Sequence, residues 1–86
     1  MKNLTFEIKD KNGLHARPAG ALSETARKYN CEITVNYQGK EANAKRLLSV
    51  MSLGATCGGV LNFSFDGEDE NEACSAIKNI LNEKLG

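Results

Sequence analysis

His15, Arg17 and Pro18 stand close together in the stretch Gly13-Leu14-His15-Ala16-Arg17-Pro18-Ala19, which holds the only histidine and the only proline of the 86 residues. A helical pattern begins just after His15, with Pro18 in its first turn. Proline is tolerated there because the first backbone N–H groups of a helix have no intrahelical partner. A side chain at that edge faces free donors and the positive end of the helix dipole, a setting that holds phosphate or another anion. Arg17 adds a planar fork of donors suited to phosphate oxygens. An imidazole is a nucleophile for phosphorus near neutral pH, since histidine ordinarily titrates near ~6.5. One ring nitrogen can attack while the phosphoryl group is steadied by the amides of Ala16 to Pro18 and by Arg17. Phosphoryl transfer is mostly positioning and charge stabilisation, so the chemistry suggested is a transient phosphohistidine. Residue types alone leave a second reading open. A lone histidine at a helix start is ordinarily a cap or a surface residue, Arg17 a solvated charge and Pro18 ordinary architecture.

The elements that must position this stretch are legible in the periodicity. Leu4-Thr5-Phe6-Glu7-Ile8-Lys9 alternates like a half-buried strand, with Leu4, Phe6 and Ile8 inward. Asp10-Lys11-Asn12-Gly13 reads as a turn leading to His15. A helix is predicted from about Ala16 to Lys28, with Ala19, Leu22, Ala26 and Tyr29 on one stripe. Gly20 weakens that helix by about 1 kcal/mol relative to alanine, which close packing against a sheet would explain. Cys31 to Tyr37 alternates again, Gln38-Gly39 is a tight turn with glycine supplying positive φ, and Lys40 to Ala44 returns as a short strand. A short second helix is predicted over Lys45 to Leu53. It can bury Val50 and Leu53, but not Leu47, Leu48 and Met51 against the same surface. A protruding cluster of this kind is either a docking surface or is covered by a neighbouring loop, and the residues alone do not decide. Val60 to Phe65 is a strand with Leu61, Phe63 and Phe65 inward. Ala73, Ala76, Ile77, Ile80 and Leu81 stripe a last helix, with Lys78 and Lys84 toward its end. Asp69, Glu70 and Glu72 read as acids placed to suit the start of that helix. Strands with helices between them make an α+β domain over residues 1–86.

Composition excludes several function classes. Eleven basic and eleven acidic side chains cancel, so nothing resembles the basic excess of a nucleic-acid binder. No apolar run approaches the ~18 residues of a membrane span, and Met1-Lys2-Asn3-Leu4-Thr5 is no signal peptide, so a cytoplasmic protein without membrane insertion is expected. Cys31, Cys57 and Cys74 form no CxxC pair and no ligand set with His15, and read as small apolar fillers and free thiols.

The wording Gly-Leu-His-Ala-Arg-Pro-Ala resembles the active-site signature of HPr, the histidine-containing phosphocarrier of the bacterial phosphoenolpyruvate-dependent sugar phosphotransferase system. Asn36-Tyr37-Gln38-Gly39-Lys40, Val50-Met51-Ser52-Leu53-Gly54 and Gly67-Glu68-Asp69-Glu70-Asn71-Glu72-Ala73 fall where that family has its second hairpin, second helix and last helix entry. The resemblance runs the length of the chain. It implies an open-faced β-sandwich, a four-stranded antiparallel sheet with three helices on one face in the order βαββαβα. It implies that His15 takes a phosphoryl group from phosphorylated enzyme I and passes it to EIIA domains of sugar permeases, with Arg17 steadying the phosphate. The protein is then a substrate of phosphotransferases rather than an enzyme, a monomer, and free of metal or organic cofactor. Arg46, Leu47, Leu48 and Met51 become the docking residues, with transcriptional or metabolic regulators as further partners.

One position departs from the family pattern. Many HPr proteins of low-GC Gram-positive bacteria carry a regulatory serine right after the lysine matching Lys45, and here that place is Arg46. Ser49 and Ser52 are out of register with it. The departure puts kinase-driven regulation in doubt and leaves His15 and Arg17 in place. Arg46, with Arg17, Arg27 and Lys45, is expected to form a basic rim that speeds docking to an acidic partner face. Two alternatives stay beside the sugar carrier: a regulatory binding module, and a carrier for a dedicated nitrogen-related or single-sugar circuit.

Overall fold

The computed structural model describes residues Met1–Gly86. The elements follow as β1 (Lys2–Glu7), α1 (Ala16–Ala26), β2 (Glu32–Tyr37), β3 (Lys40–Asn43), α2 (Leu47–Met51), β4 (Val60–Asp66) and α3 (Glu70–Leu85). The strands pair antiparallel in the order β1-β4-β2-β3, and the helices cover one face. Alternation explains the sheet. Ile33, Val35 and Tyr37 of β2 and Leu61, Phe63 and Phe65 of β4 are buried, while their neighbours along each strand face away. Val35 pairs with Phe63 and Ile33 with Phe65, so a slip of one residue would turn this whole set outward. β1 is an edge strand and buries less. Leu4 and Phe6 point toward the core but are only partly covered, and Ile8, just past the strand, is fully enclosed.

α1 ends at Ala26, short of the expected Lys28, because the chain tightens there: Lys28 and Tyr29 N–H donate to Thr25 and Ala26 three residues back, at 3.1 and 3.3 Å. Its buried face holds Pro18, Ala19, Leu22, Ser23 and Ala26. Ser23 was not expected inside, and its Oγ has no hydrogen-bond partner. α2 is five residues long rather than the span Lys45 to Leu53. Lys45 and Arg46 belong to the turn before it, where Lys45 N–H donates to Asn43 Oδ1 at 2.9 Å and Arg46 N–H to the Asn43 carbonyl at 3.0 Å. The β2–β3 turn takes positive φ at both Gln38 (+50°) and Gly39 (+83°), the double requirement of a type I′ hairpin.

Two sequence expectations need correction. Asp69 does not serve its own helix. Its carboxylate reaches across to accept the N–H of Asn30 at 2.7 Å and of Cys31 at 2.9 Å, tying α3 to the entry of β2. These donors, Asn30 foremost, hold its carboxyl below the usual carboxylate range. Glu70 reaches back instead to the Gly67 N–H at 3.2 Å. The cysteines also divide. Cys31 and Cys74 are buried, but Cys57 is exposed, with its thiol aimed at the Lys9 carbonyl at 3.6 Å, and fills no core space. Burial, helped by the Asp69 carboxylate, pushes the Cys31 thiol up to about 11, so it carries no thiolate at neutral pH.

Candidate functional site

The backbone leading to His15 is clamped on both sides. The N–H groups of Lys9 and Asp10 both donate to the Leu85 carbonyl, at 2.9 and 3.2 Å, which docks the end of α3 on the chain leaving β1. Asp10 then folds the turn: its carbonyl accepts Gly13 N–H at 3.1 Å and its Oδ1 accepts Asn12 N–H at 2.8 Å. Gly13 sits at φ +68°, and a Cβ there would lie 2.7 Å from the Ala55 oxygen and 2.8 Å from Thr56 Cα. Only glycine fits this approach. Leu14 is buried and donates its N–H to the same Ala55 carbonyl at 3.0 Å.

His15 follows in extended backbone, φ −92° and ψ −171°, at the cap position of α1. Its carbonyl accepts Ala19 N–H at 3.0 Å, but its ring makes no bond to the amides ahead of it. The ring is half-exposed and unspent. Ala16 and Arg17 present N–H groups that precede any intrahelical partner. Pro18 has no N–H to offer. It is buried, and its part is to fix φ and shape the floor. No acidic side chain lies in the first turn.

His15, Arg17 and Pro18 line one shallow concavity of about 400 Å³ with Asp10, Ala21 and Lys84. Neither ion pair of the chain engages Arg17. Asp10 and Lys84 are additions that the sequence reading missed. Lys84 belongs to the far end of the chain, and only the seating of Leu85 brings it here; no local pattern carries that signal.

The second group of expected residues lies on the neighbouring surface. Val50 and Leu53 are buried, whereas Leu47 and Met51 are each 37% and Leu48 79% exposed, so no loop covers them. Leu47 shares a second open concavity, about 600 Å³, with Arg17, Arg27 and Lys28. Arg17 therefore borders both hollows and joins them. Two members of the expected basic rim also hold the backbone. Lys45 Nζ donates to the Tyr29 carbonyl at 2.7 Å and Arg27 Nη1 to the Lys45 carbonyl at 3.2 Å, so this pair straps the end of α1 to the approach to α2. Arg46 stays exposed; its carbonyl accepts the Val50 N–H at 3.0 Å, but its side chain makes no cap bond to the helix it precedes. No helix is long and apolar enough to cross a membrane.

Residues 2–83 match the family model described as the PTS HPr component phosphorylation site. The fold is similar to the histidine-containing phosphocarrier protein of Mycoplasma, with a TM-score of 0.93 at 34% identity over 95% of this chain and 93% of that one. HPr from Thermoanaerobacter tengcongensis gives 0.92 at 44% identity over 98% and 94%. The catabolite repression protein Crh of Bacillus subtilis, solved as a swapped dimer, gives 0.76 at 30% identity over 100% and 99%.

Proposed function

The chain belongs to the HPr family of phosphocarrier proteins of the phosphotransferase system, and on that premise we propose that His15 is its phosphoryl carrier residue. It accepts the group from phosphorylated enzyme I and donates it to EIIA domains of sugar permeases. The observation that carries this reading is the start of α1: an unspent imidazole and Arg17 line one open concavity, at a helix start whose Ala16 and Arg17 amides are unspent.

In the accepting step, the lone pair of one imidazole nitrogen forms the N–P bond as the bond from phosphorus to enzyme I breaks. The electron pair of that bond leaves with enzyme I. The amides of Ala16 and Arg17 and the Arg17 guanidinium face the phosphoryl oxygens, which carry most of the charge in the transition state. In the donating step a nucleophile of the EIIA domain attacks phosphorus and the His15 nitrogen recovers its pair. Openness suits this role. The group must be reached by two partners in turn, and a closed pocket would admit neither. The protein turns over no substrate of its own, so it acts as a phosphocarrier rather than an enzyme, as a single domain and without a cofactor. Leu47, Leu48 and Met51, next to Arg17, form the surface that both partners press against, with Arg46 at its edge.

The test is intact mass after mixing with enzyme I, magnesium and phosphoenolpyruvate, the magnesium serving enzyme I. One acid-labile phosphate is expected on the wild type and none on His15→Ala. No phosphate on a folded wild type with a competent enzyme I would overturn the reading.

A further inference from the structure

Lys84 sits where a charged phosphate would arrive. It lines the concavity of His15 and Arg17 although it lies in the last turn of α3. Its placement is not that of a loose chain end. The adjoining Leu85 is only 1% exposed, packs in the core, and accepts the N–H groups of both Lys9 and Asp10. These bonds fix the last turn of α3 against the loop that ends at His15. The only ion pair Lys84 makes is with its own neighbour Glu83, at 3.6 Å, with both side chains largely in water. Such a pair holds an ammonium weakly.

The ionisable side chains that line the concavity are Asp10, His15, Arg17 and Lys84. Asp10, whose Oδ1 accepts the Asn12 N–H, is the one acid among them and is in no ion pair with Arg17 or Lys84. Arg17 and Lys84 are therefore the cations available to an incoming dianion, one on the helix that starts at the site and one on the helix that ends beside it. Resting on the assignment of His15 as carrier, we infer that Lys84 is a second phosphate-contacting cation, which closes on the phosphoryl oxygens once His15 is loaded. Arg17 binds them in a fixed plane, while the ammonium of Lys84 follows the group as a point charge. Lys84 thus tunes how readily the phosphoryl group is held and passed on.

The test loads His15 without any partner. Phosphoramidate donates its phosphoryl group to one imidazole nitrogen as its own P–N bond breaks and ammonia leaves. The phosphorus resonance of the loaded protein is then titrated with pH in wild type, Lys84→Gln and Lys84→Arg. Removing a nearby cation disfavours the dianion, so Lys84→Gln is expected to raise the second phosphoryl pKa by about half a unit. Lys84→Arg should titrate like the wild type, and salt should shrink the difference. A merely structural lysine would change folding stability and leave the titration alone. If Lys84→Gln is loaded normally and titrates with the wild type, the role of Lys84 is overturned and the carrier reading stands. A folded wild type that accepts phosphate neither from phosphoramidate nor from enzyme I overturns both.

Discussion

His15 and Arg46 occupy the same position, one residue ahead of a helix, in extended backbone and without a side-chain bond to the amides in front. The helices that follow the two differ. α1 is eleven residues long and its first turn is anchored by buried Pro18. α2 is five residues long and buries only Val50. The dipole of a single short turn is small, and a permanent cation already stands before it. The chain before His15 is pinned to Ala55 and Leu85, and the chain before Arg46 is also tied down, by Ala44 N–H on the Ile33 carbonyl and by the Lys45 and Arg27 strap to the end of α1. An open helix start is thus not sufficient for chemistry. A nucleophile must also occupy the cap position, ahead of a helix long enough to carry a dipole. At α2 these are missing, and what the region presents instead is the exposed apolar surface of Leu48 and Met51, which the proposed function uses for docking.

The largest effect that separates the two starts is His15→Ala, which should abolish phosphate uptake from enzyme I while leaving the folding midpoint within about 0.5 kcal/mol, since the ring makes no cap bond. Rigidity is tested next. Gly13→Ala forces a Cβ against the Ala55 carbonyl at positive φ, and should cost about 1–3 kcal/mol in denaturant unfolding. An unchanged midpoint would mean that the clamp does not hold the loop. Leu48→Asp should weaken enzyme I and EIIA binding about tenfold in calorimetry without moving the folding midpoint, because the side chain is 79% exposed. The start of α3 offers a third comparison, since its cap residue spends its side chain elsewhere. The Asp69 carboxyl is held below its ordinary range when folded, so its contribution is fully present above the unfolded carboxylate pKa and is lost as pH falls through the folded one. Asp69→Ala should therefore lower the unfolding midpoint at neutral pH and flatten its decline under acid. The smallest effect is expected of Arg46→Ser. Its phosphotransfer rate from enzyme I should fall about twofold, with a shallower salt dependence. An identical rate and salt slope would remove Arg46 from the docking surface.

The comparison also explains what a sequence can disclose here. The start of α1 is local: histidine, arginine and proline at helix-start spacing point to amides and an anion before any packing is known. The protrusion of Leu47, Leu48 and Met51 is local too, because a short helix has only one face to bury. The strands were readable from alternation, but their depth was not. Leu4 and Phe6 alternate as cleanly as Leu61 and Phe63, yet lie on an edge strand, and strand order is a property of the whole chain. Lys84 escaped for the same reason, since its approach to His15 depends on the burial of Leu85. Asp69 misled because an acid at a helix start has a sufficient local explanation, and its actual partners, Asn30 and Cys31, are distant in sequence. Cys57 and Cys74 look alike in composition, and only the fold puts one in water and the other in the core.

The pairing of β1 has a consequence for how the protein comes into being. β1 joins the sheet only through β4, from Lys2 opposite Phe65 to Glu7 opposite Val60, and the loop after it is stitched to Ala55, Gly59 and Leu85. All of these partners are synthesised long after His15. Closing so wide a loop carries an entropic cost before any contact rewards it, and β1 has no strand to pair with until β4 has been made. A nascent or half-folded chain shows its histidine early but lacks the clamp that presents it. On the proposed function, readiness to accept phosphate then waits for the finished fold.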